Sequence, residues 1–94
     1  MLTLKINNEL DFGMEREEKK LRLVVLNKRT ELACRKETFG NLQKFLAAEE
    51  AHAFKGRLQL YKHNNSISVA LKGEKLGAIA ASKFENCLAE LKEQ

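Results

Sequence analysis

The residues best spaced to do chemistry lie between Arg57 and Lys72. This stretch reads Arg57-Leu58-Gln59-Leu60-Tyr61-Lys62-His63, then Asn64-Asn65, then Ser66-Ile67-Ser68-Val69-Ala70-Leu71-Lys72. Two alternating runs about a two-residue tip predict a β-hairpin, because asparagine tolerates the left-handed backbone such a loop needs. Pairing outward from the tip sets His63 opposite Ser66, Tyr61 opposite Ser68, Gln59 opposite Ala70 and Arg57 opposite Lys72. Leu58, Leu60, Val69 and Leu71 then share the other face, as a core wall. On the polar face Arg57 and Lys72 can neutralise phosphates, Tyr61 can stack on a base and Gln59 can hydrogen-bond one. That is recognition chemistry, in which no bond is made or broken. The competing reading is the plain solvent side of a half-buried sheet.

Other chemistries find weaker support. His52, His63, Cys34 and Cys87 form no local pair at ligand spacing, so neither a metal site nor a disulfide framework is expected. His52 falls near the end of an expected helix, where it would interact with terminal carbonyls; His63 flanks a turn and reads as a solvated residue. Both cysteines occupy positions suited to a small apolar residue and read as buried free thiols. Glu17-Glu18 and Glu49-Glu50 are adjacent pairs whose side chains diverge, which does not serve acid–base catalysis. Gly73-Glu74-Lys75-Leu76-Gly77 lacks the spacing and ending of a phosphate loop. No enzyme activity and no cofactor is expected.

The chain has 94 residues, 44% of them hydrophobic, enough for a single small domain spanning 1–94 with one modest core. Formal charge is +4, unevenly spread: residues 19–36 hold seven basic residues and one acid, and residues 55–75 hold five and one. Arg22, Lys28, Arg29, Arg35 and Lys36 in the first block would extend a positive track if the two hairpins were neighbours. The N-terminal residues lack the pattern of a secretory signal, and no apolar run is long enough to span a bilayer. The expectation is a cytoplasmic protein with no membrane association.

The elements that must position these residues follow from periodicity. Leu2 to Ile6 alternates as a strand, whereas Glu9 to Glu18, broken by Gly13 and crowded with charge, reads as a loop with a short irregular element. Leu21 to Leu26 is a strand apolar on both faces, Asn27 to Thr30 a turn, and Leu32 to Arg35 a returning strand. Thr38 caps a helix expected over about residues 38–52, with Phe39, Leu42, Phe45 and Leu46 as its stripe. After the hairpin, Gly73-Glu74 reads as a turn and Lys75 to Ile79 as a short strand. There Gly77 would oppose Ala70 and leave the polar face locally bare, open to another backbone or a flat ligand. Ser82 with Glu85 has the form of a capping box for a last helix carrying Phe84, Cys87, Leu88 and Leu91.

The predicted fold class is α+β: an antiparallel sheet of five or six strands with two helices on one face, in the order β-β-β-α-β-β-β-α. Phe39-Gly40-Asn41-Leu42 and Phe84-Glu85-Asn86-Cys87 stand at similar points of the two strand-to-helix passages, a likeness too short to establish a repeat. The ending, Leu76-Gly77-Ala78-Ile79 followed by Ser82 to Leu91, resembles the end of single-stranded-DNA-binding transcriptional coactivators. The likeness covers about twenty residues, and the helix expected at 38–52 departs from that pattern, so no family is assigned. The expected function is non-catalytic binding of single-stranded or structured nucleic acid, DNA or RNA, through Arg57, Gln59, Tyr61, Lys72, Lys28, Arg29, Arg22 and Arg35. The alternative is a homodimeric protein-interaction module, with Val24, Leu26 and the strand around Leu76 leaving an apolar strip or open edge.

Overall fold

A computed structural model describes all 94 residues. The order of elements is β1 (Leu2–Lys5), β2 (Leu10–Glu17), β3 (Lys20–Asn27), β4 (Thr30–Thr38), α1 (Phe39–Ala47), β5 (Glu50–Ala53), β6 (Leu58–His63), β7 (Ser66–Leu71), β8 (Glu74–Ala80) and α2 (Ala81–Lys92). The fold is α+β, with two four-stranded antiparallel sheets, β1-β2-β3-β4 and β5-β6-β7-β8, in place of the single sheet expected. Each sheet is a meander followed by a helix, so the chain is one ββββα unit repeated. The two helices begin at Phe39 and Ala81, which aligns Leu42 with Phe84 and replaces the alignment of Phe39 with Phe84.

Two missed strands account for the second sheet. Leu10, Phe12 and Met14 do alternate, and the register pairs them with Asn27, Val25 and Leu23 on β3. Gly13 does not break the strand, because Val24 and the Met1 side chain occupy the space a side chain would take there. The charges that argued for a loop lie along the second half of β2, where Glu15 pairs with Arg22 and Glu17 with Lys36. The second strand, β5, uses residues assigned to the first helix: α1 ends at Ala47, and Glu50–Ala53 pairs with Leu60–His63.

Four two-residue hairpin loops connect the strands, and the first residue of each has a left-handed backbone: Glu18, Lys28, Asn64 and Lys72, with φ between +53° and +57°. The last loop is therefore Lys72-Gly73, one residue earlier than expected, and a register shift on β8 leaves Leu76 as the extra residue. Gly77 consequently opposes Val69 on the inner face, where a Cβ would lie 2.5 Å from the Ile6 carbonyl oxygen. Another backbone does approach this glycine closely; it is the chain's own β1–β2 loop.

One hydrophobic cluster draws on both sheets and both helices, with Phe12, Met14, Leu21, Leu23, Leu42, Leu60, Ile67, Val69 and Phe84 at its centre. Phe84 of α2 meets Phe12 of β2, their ring centroids 5.9 Å apart. The helix ends are tied reciprocally between the units. Arg16, the penultimate residue of β2, donates to the Lys92 carbonyl at 3.2 Å and to the Gln94 carbonyl at the end of α2. Lys62, the penultimate residue of β6, donates to the Ala48 carbonyl at the end of α1. A helix C-terminus gathers unpaired carbonyls and partial negative charge, so a cation is favoured at each position. Thr38 caps α1 as expected, accepting from the Asn41 amide at 3.2 Å. Ser82 does not cap α2: the helix begins one residue before it, and the Ala81 amide donates to the Asn65 carbonyl of the β6–β7 tip. Neither cysteine is fully buried; Cys34 is exposed and Cys87 half-buried, its thiol pushed up by desolvation and by Glu90.

Candidate nucleic-acid interface on the second sheet

The hairpin register is the one the sequence implied: His63 opposite Ser66, Tyr61 opposite Ser68, Gln59 opposite Ala70. Leu58, Leu60, Ile67 and Val69 face the core, and Gln59, Tyr61 and His63 face away from it. β5 adds Glu50 and His52 to that outer face through the pairs Glu50 with His63 and His52 with Tyr61. β7 and β8 add Ser66, Ser68, Ala70, Lys75, Ala78 and Ala80, none of them larger than serine apart from Lys75.

The β5–β6 side of the face is aromatic. The His52 and Tyr61 rings stack with centroids 4.4 Å apart and planes inclined by only 4°. Tyr61 is nevertheless 42% exposed. Gln59 holds the pair in place: its Oε1 accepts from the Tyr61 hydroxyl and from His52 Nε2 at 3.3 Å, and its Nε2 donates to the Gly56 carbonyl at 3.1 Å. With both ends of its amide engaged inside the chain, Gln59 positions the rings instead of offering its edge to a base. His63 Nδ1 and Glu50 Oε1 are 2.7 Å apart, a contact between exposed groups that contributes little to stability. Beside Tyr61 lies a shallow hollow of about 360 Å³ lined by Tyr61, Ser68, Ala70, Gly73 and Lys75.

Cations border this surface. Arg57 is exposed just before β6, and its carbonyl accepts from the Lys72 amide at 2.8 Å, so the two residues are neighbours at one end of the sheet. Lys75 stands opposite Ala70 beside them. None of these three takes part in any of the salt bridges.

The first basic block behaves differently, because it belongs to the other sheet. Arg22 is committed to Glu15 at 2.9 Å and to Glu31, and these carboxylates hold its proton above the ordinary guanidinium range. Arg35 projects to the side opposite Arg22 and lies over the Phe54 ring, 5.0 Å from its centroid. Arg22 and Arg35 are thus occupied within the fold and do not extend a track on the second sheet, which corrects their expected placement. Lys28 and Arg29 are exposed at the β3–β4 tip and free of salt bridges. Lys28 shares a polar hollow with Asn8, Glu9 and Asp11, and the Asn7 side chain of the same β1–β2 loop donates to the Leu76 carbonyl at 2.9 Å, so this tip stands at the end of the first sheet that abuts β8.

The apolar strip expected on the first sheet is largely closed. Val24 is fully buried, with Met1 lying over the adjoining Gly13, and Asn7 engages the strand at Leu76. Leu32, on the outer strand β4, remains 40% exposed.

The sequence reading missed His52, Lys75 and the bare row on β7 and β8. For His52 the signal was present: Glu50-Ala51-His52-Ala53 alternates polar with small apolar residues, a period of two hidden in a run of good helix formers. No three His, Cys, Asp or Glu side chains converge as a metal site, and no helix is long and apolar enough to cross a membrane.

Fold and surface together define a duplicated ββββα protein with one ion-paired outer face and one aromatic, cation-bordered outer face. Comparison with protein-family models, curated proteins and solved structures finds no match.

Proposed function

We propose that this protein binds single-stranded nucleic acid without catalysing a reaction, using the outer face of the second sheet. One observation carries the reading: a parallel, stacked pair of rings on the β5–β6 side of an outer face bordered by Arg57, Lys72 and Lys75, none of which has an acidic partner. Cations neutralise the sugar–phosphate backbone, and exposed ring faces accept unpaired bases, which a duplex keeps stacked away from a protein surface. Lys28 and Arg29, at the β3–β4 tip and in no salt bridge, are the remaining candidates for phosphate contact.

Titration of labelled single- and double-stranded DNA and RNA at two salt concentrations tests the proposal. Single strands are expected to bind more tightly than duplexes, with an affinity that falls as salt rises. Each phosphate contact removed, as in Arg57→Ala or Lys72→Ala, lowers the logarithmic salt slope by about 0.7. No binding at low salt, or equal affinity for duplex, refutes the reading.

A homodimeric interaction module is the second reading, favoured by β4, a nine-residue outer strand that carries the exposed Leu32. Association through that edge survives high salt and is weakened by Leu32→Lys, which sedimentation measures directly.

A further inference from the structure

The stacked rings belong to a row with unfilled places. The register carries one line across the outer face from His52 to Tyr61 to Ser68 to Ala78, one residue from each of the four strands. Neighbouring strands are about 4.8 Å apart, within the roughly 4.5–7 Å range of ring-centroid spacings in aromatic pairs, so rings on adjacent strands can meet face to face with a small offset. The first two places hold His52 and Tyr61 with centroids 4.4 Å apart. The third and fourth hold only a serine and an alanine.

We propose that the place above Ser68 is a nucleobase site, in which a base continues the His52–Tyr61 stack by lying on the free face of Tyr61. The hollow bounded by Tyr61, Ser68, Ala70, Gly73 and Lys75 is that place seen as a volume. Ala70, 7% exposed, and the half-buried Ser68 line it on β7. Lys75 lines the hollow opposite Ala70, and Lys72 precedes its Gly73, so a phosphate attached to the base would have cations within reach. Gln59 is a positioning residue: it fixes the tyrosine ring upright, so the stacking surface exists before the ligand arrives. With its amide spent on Tyr61, His52 and Gly56, recognition rests on the flat face of the base and tolerates any base. This inference rests on the proposed nucleic-acid reading and adds where a base sits. A free nucleotide presents the same chemistry as a strand, so the two sources are separated by experiment.

The chain has one tyrosine and no tryptophan, so its intrinsic fluorescence reports Tyr61 alone. The full chain is titrated with a short oligothymidylate and, separately, with thymidine monophosphate, following both fluorescence and, for the strand, anisotropy of a label. Saturable quenching by the oligonucleotide is expected, with little by the mononucleotide at the same concentration. Ser68→Leu fills the third place and is expected to abolish quenching and weaken binding roughly 5- to 150-fold, the range of one base–aromatic stack. Tyr61→Leu loses a similar factor, and Tyr61→Phe, which keeps the ring, restores it; unchanged circular dichroism shows that each variant folds. Oligonucleotide binding with no change in Tyr61 emission and no effect of Ser68→Leu overturns the base site while the nucleic-acid reading stands. Quenching by the mononucleotide that Ser68→Leu abolishes, with no strand bound at low salt, upholds the base site and overturns that reading. Quenching by neither, with no strand bound by anisotropy at low salt, overturns both.

Discussion

Lys62 stands on the hairpin that carries the candidate site, yet its work is inside the fold. It is 9% exposed, faces the core side of β6 and donates its ammonium to the Ala48 carbonyl where α1 ends. Lys62→Met keeps the length and apolar stem of the side chain and removes only the charged donor. The expected loss combines an uncapped helix C-terminus with an unpaired carbonyl, less the desolvation cost the ammonium no longer incurs, leaving about 1–2 kcal/mol. In a domain of this size each kcal/mol lowers the melting temperature by about 4–8 °C. Lys62→Ala should cost roughly 2 kcal/mol more, because it also strips the buried methylenes. Thermal and urea unfolding, with amide exchange across α1 and β5, measure both the size and the place of the loss. Oligonucleotide affinity and its salt slope should be unchanged in Lys62→Met. A variant as stable as the parent, or one whose salt slope falls like that of Lys72→Ala, would show that the amine belongs to the surface and refute the capping argument.

Gly77→Ala places a Cβ 2.5 Å from the Ile6 carbonyl, which is backbone and cannot swing away, so a loss of about 1–3 kcal/mol is expected in urea unfolding. Gly40→Ala meets nothing within 4 Å on α1 and should instead stabilise by about 0.5–1 kcal/mol. Lys72 has φ +53° in a tight hairpin loop, a conformation asparagine adopts more easily; Lys72→Asn should raise the melting temperature while weakening oligonucleotide binding, a divergence seen by measuring both on one preparation. Glu17 is held below its ordinary 4.5 by the hydrogen bond and charge of Lys36. A lowered folded-state value gives a stabilisation that is complete above the unfolded value and lost as pH falls through the folded one, so the small difference in melting temperature between the parent and Lys36→Met should begin to shrink below about pH 4.5 and vanish only once pH is below the lowered folded value.

The hairpin from Leu58 to Leu71 was legible because everything that fixes it is local: an alternation of period two and a tip residue suited to a left-handed backbone. Two other segments were not legible, for opposite reasons. In Leu10–Glu17 the strand pattern was present but masked, since a glycine and a run of charges each argue against a strand when taken alone. The glycine is supported by Met1 and Val24, and the charges by Arg22 and Lys36, all distant in sequence. In Ala47–Ala53 local preference points to helix, and tertiary pairing overrules it. Lys62 ends α1 at Ala48, the Asn64 amide takes the Glu49 carbonyl at 2.7 Å, and β6 then aligns Glu50–Ala53 as an edge strand. Moving His52 from helix to strand is what creates the stacked pair, so the centre of the candidate site depended on an element boundary, the feature of a fold least determined by nearby residues.

The repeat explains why one outer face is suited to a ligand and the other is not. Aligning the Glu18-Lys19 loop with Asn64-Asn65 superposes the cross-strand pair Glu15 and Arg22 on Tyr61 and Ser68, with Val24 falling on Ala70. Inward positions keep their character across this alignment: Phe12 with Leu58, Met14 with Leu60, Leu21 with Ile67, Leu23 with Val69, Arg16 with Lys62. Core packing and helix capping demand the same side-chain types twice. Outward positions are released from that demand and diverge. On the first sheet they carry long side chains that pair with one another and a methionine that covers Val24, so positive charge is spent internally and no ring face is exposed. On the second sheet they carry two rings and a row of small residues, with Arg57, Lys72 and Lys75 gathered at one end and in no salt bridge. A flat ligand needs both an exposed ring and empty space at ring height beside it. Only the second sheet supplies both, and replacing Ser68 by the arginine of the equivalent position removes the space while adding positive charge. Ser68→Arg should therefore abolish the quenching of Tyr61 even though the face has become more basic; enhanced quenching would mean that charge, not room, governs the contact.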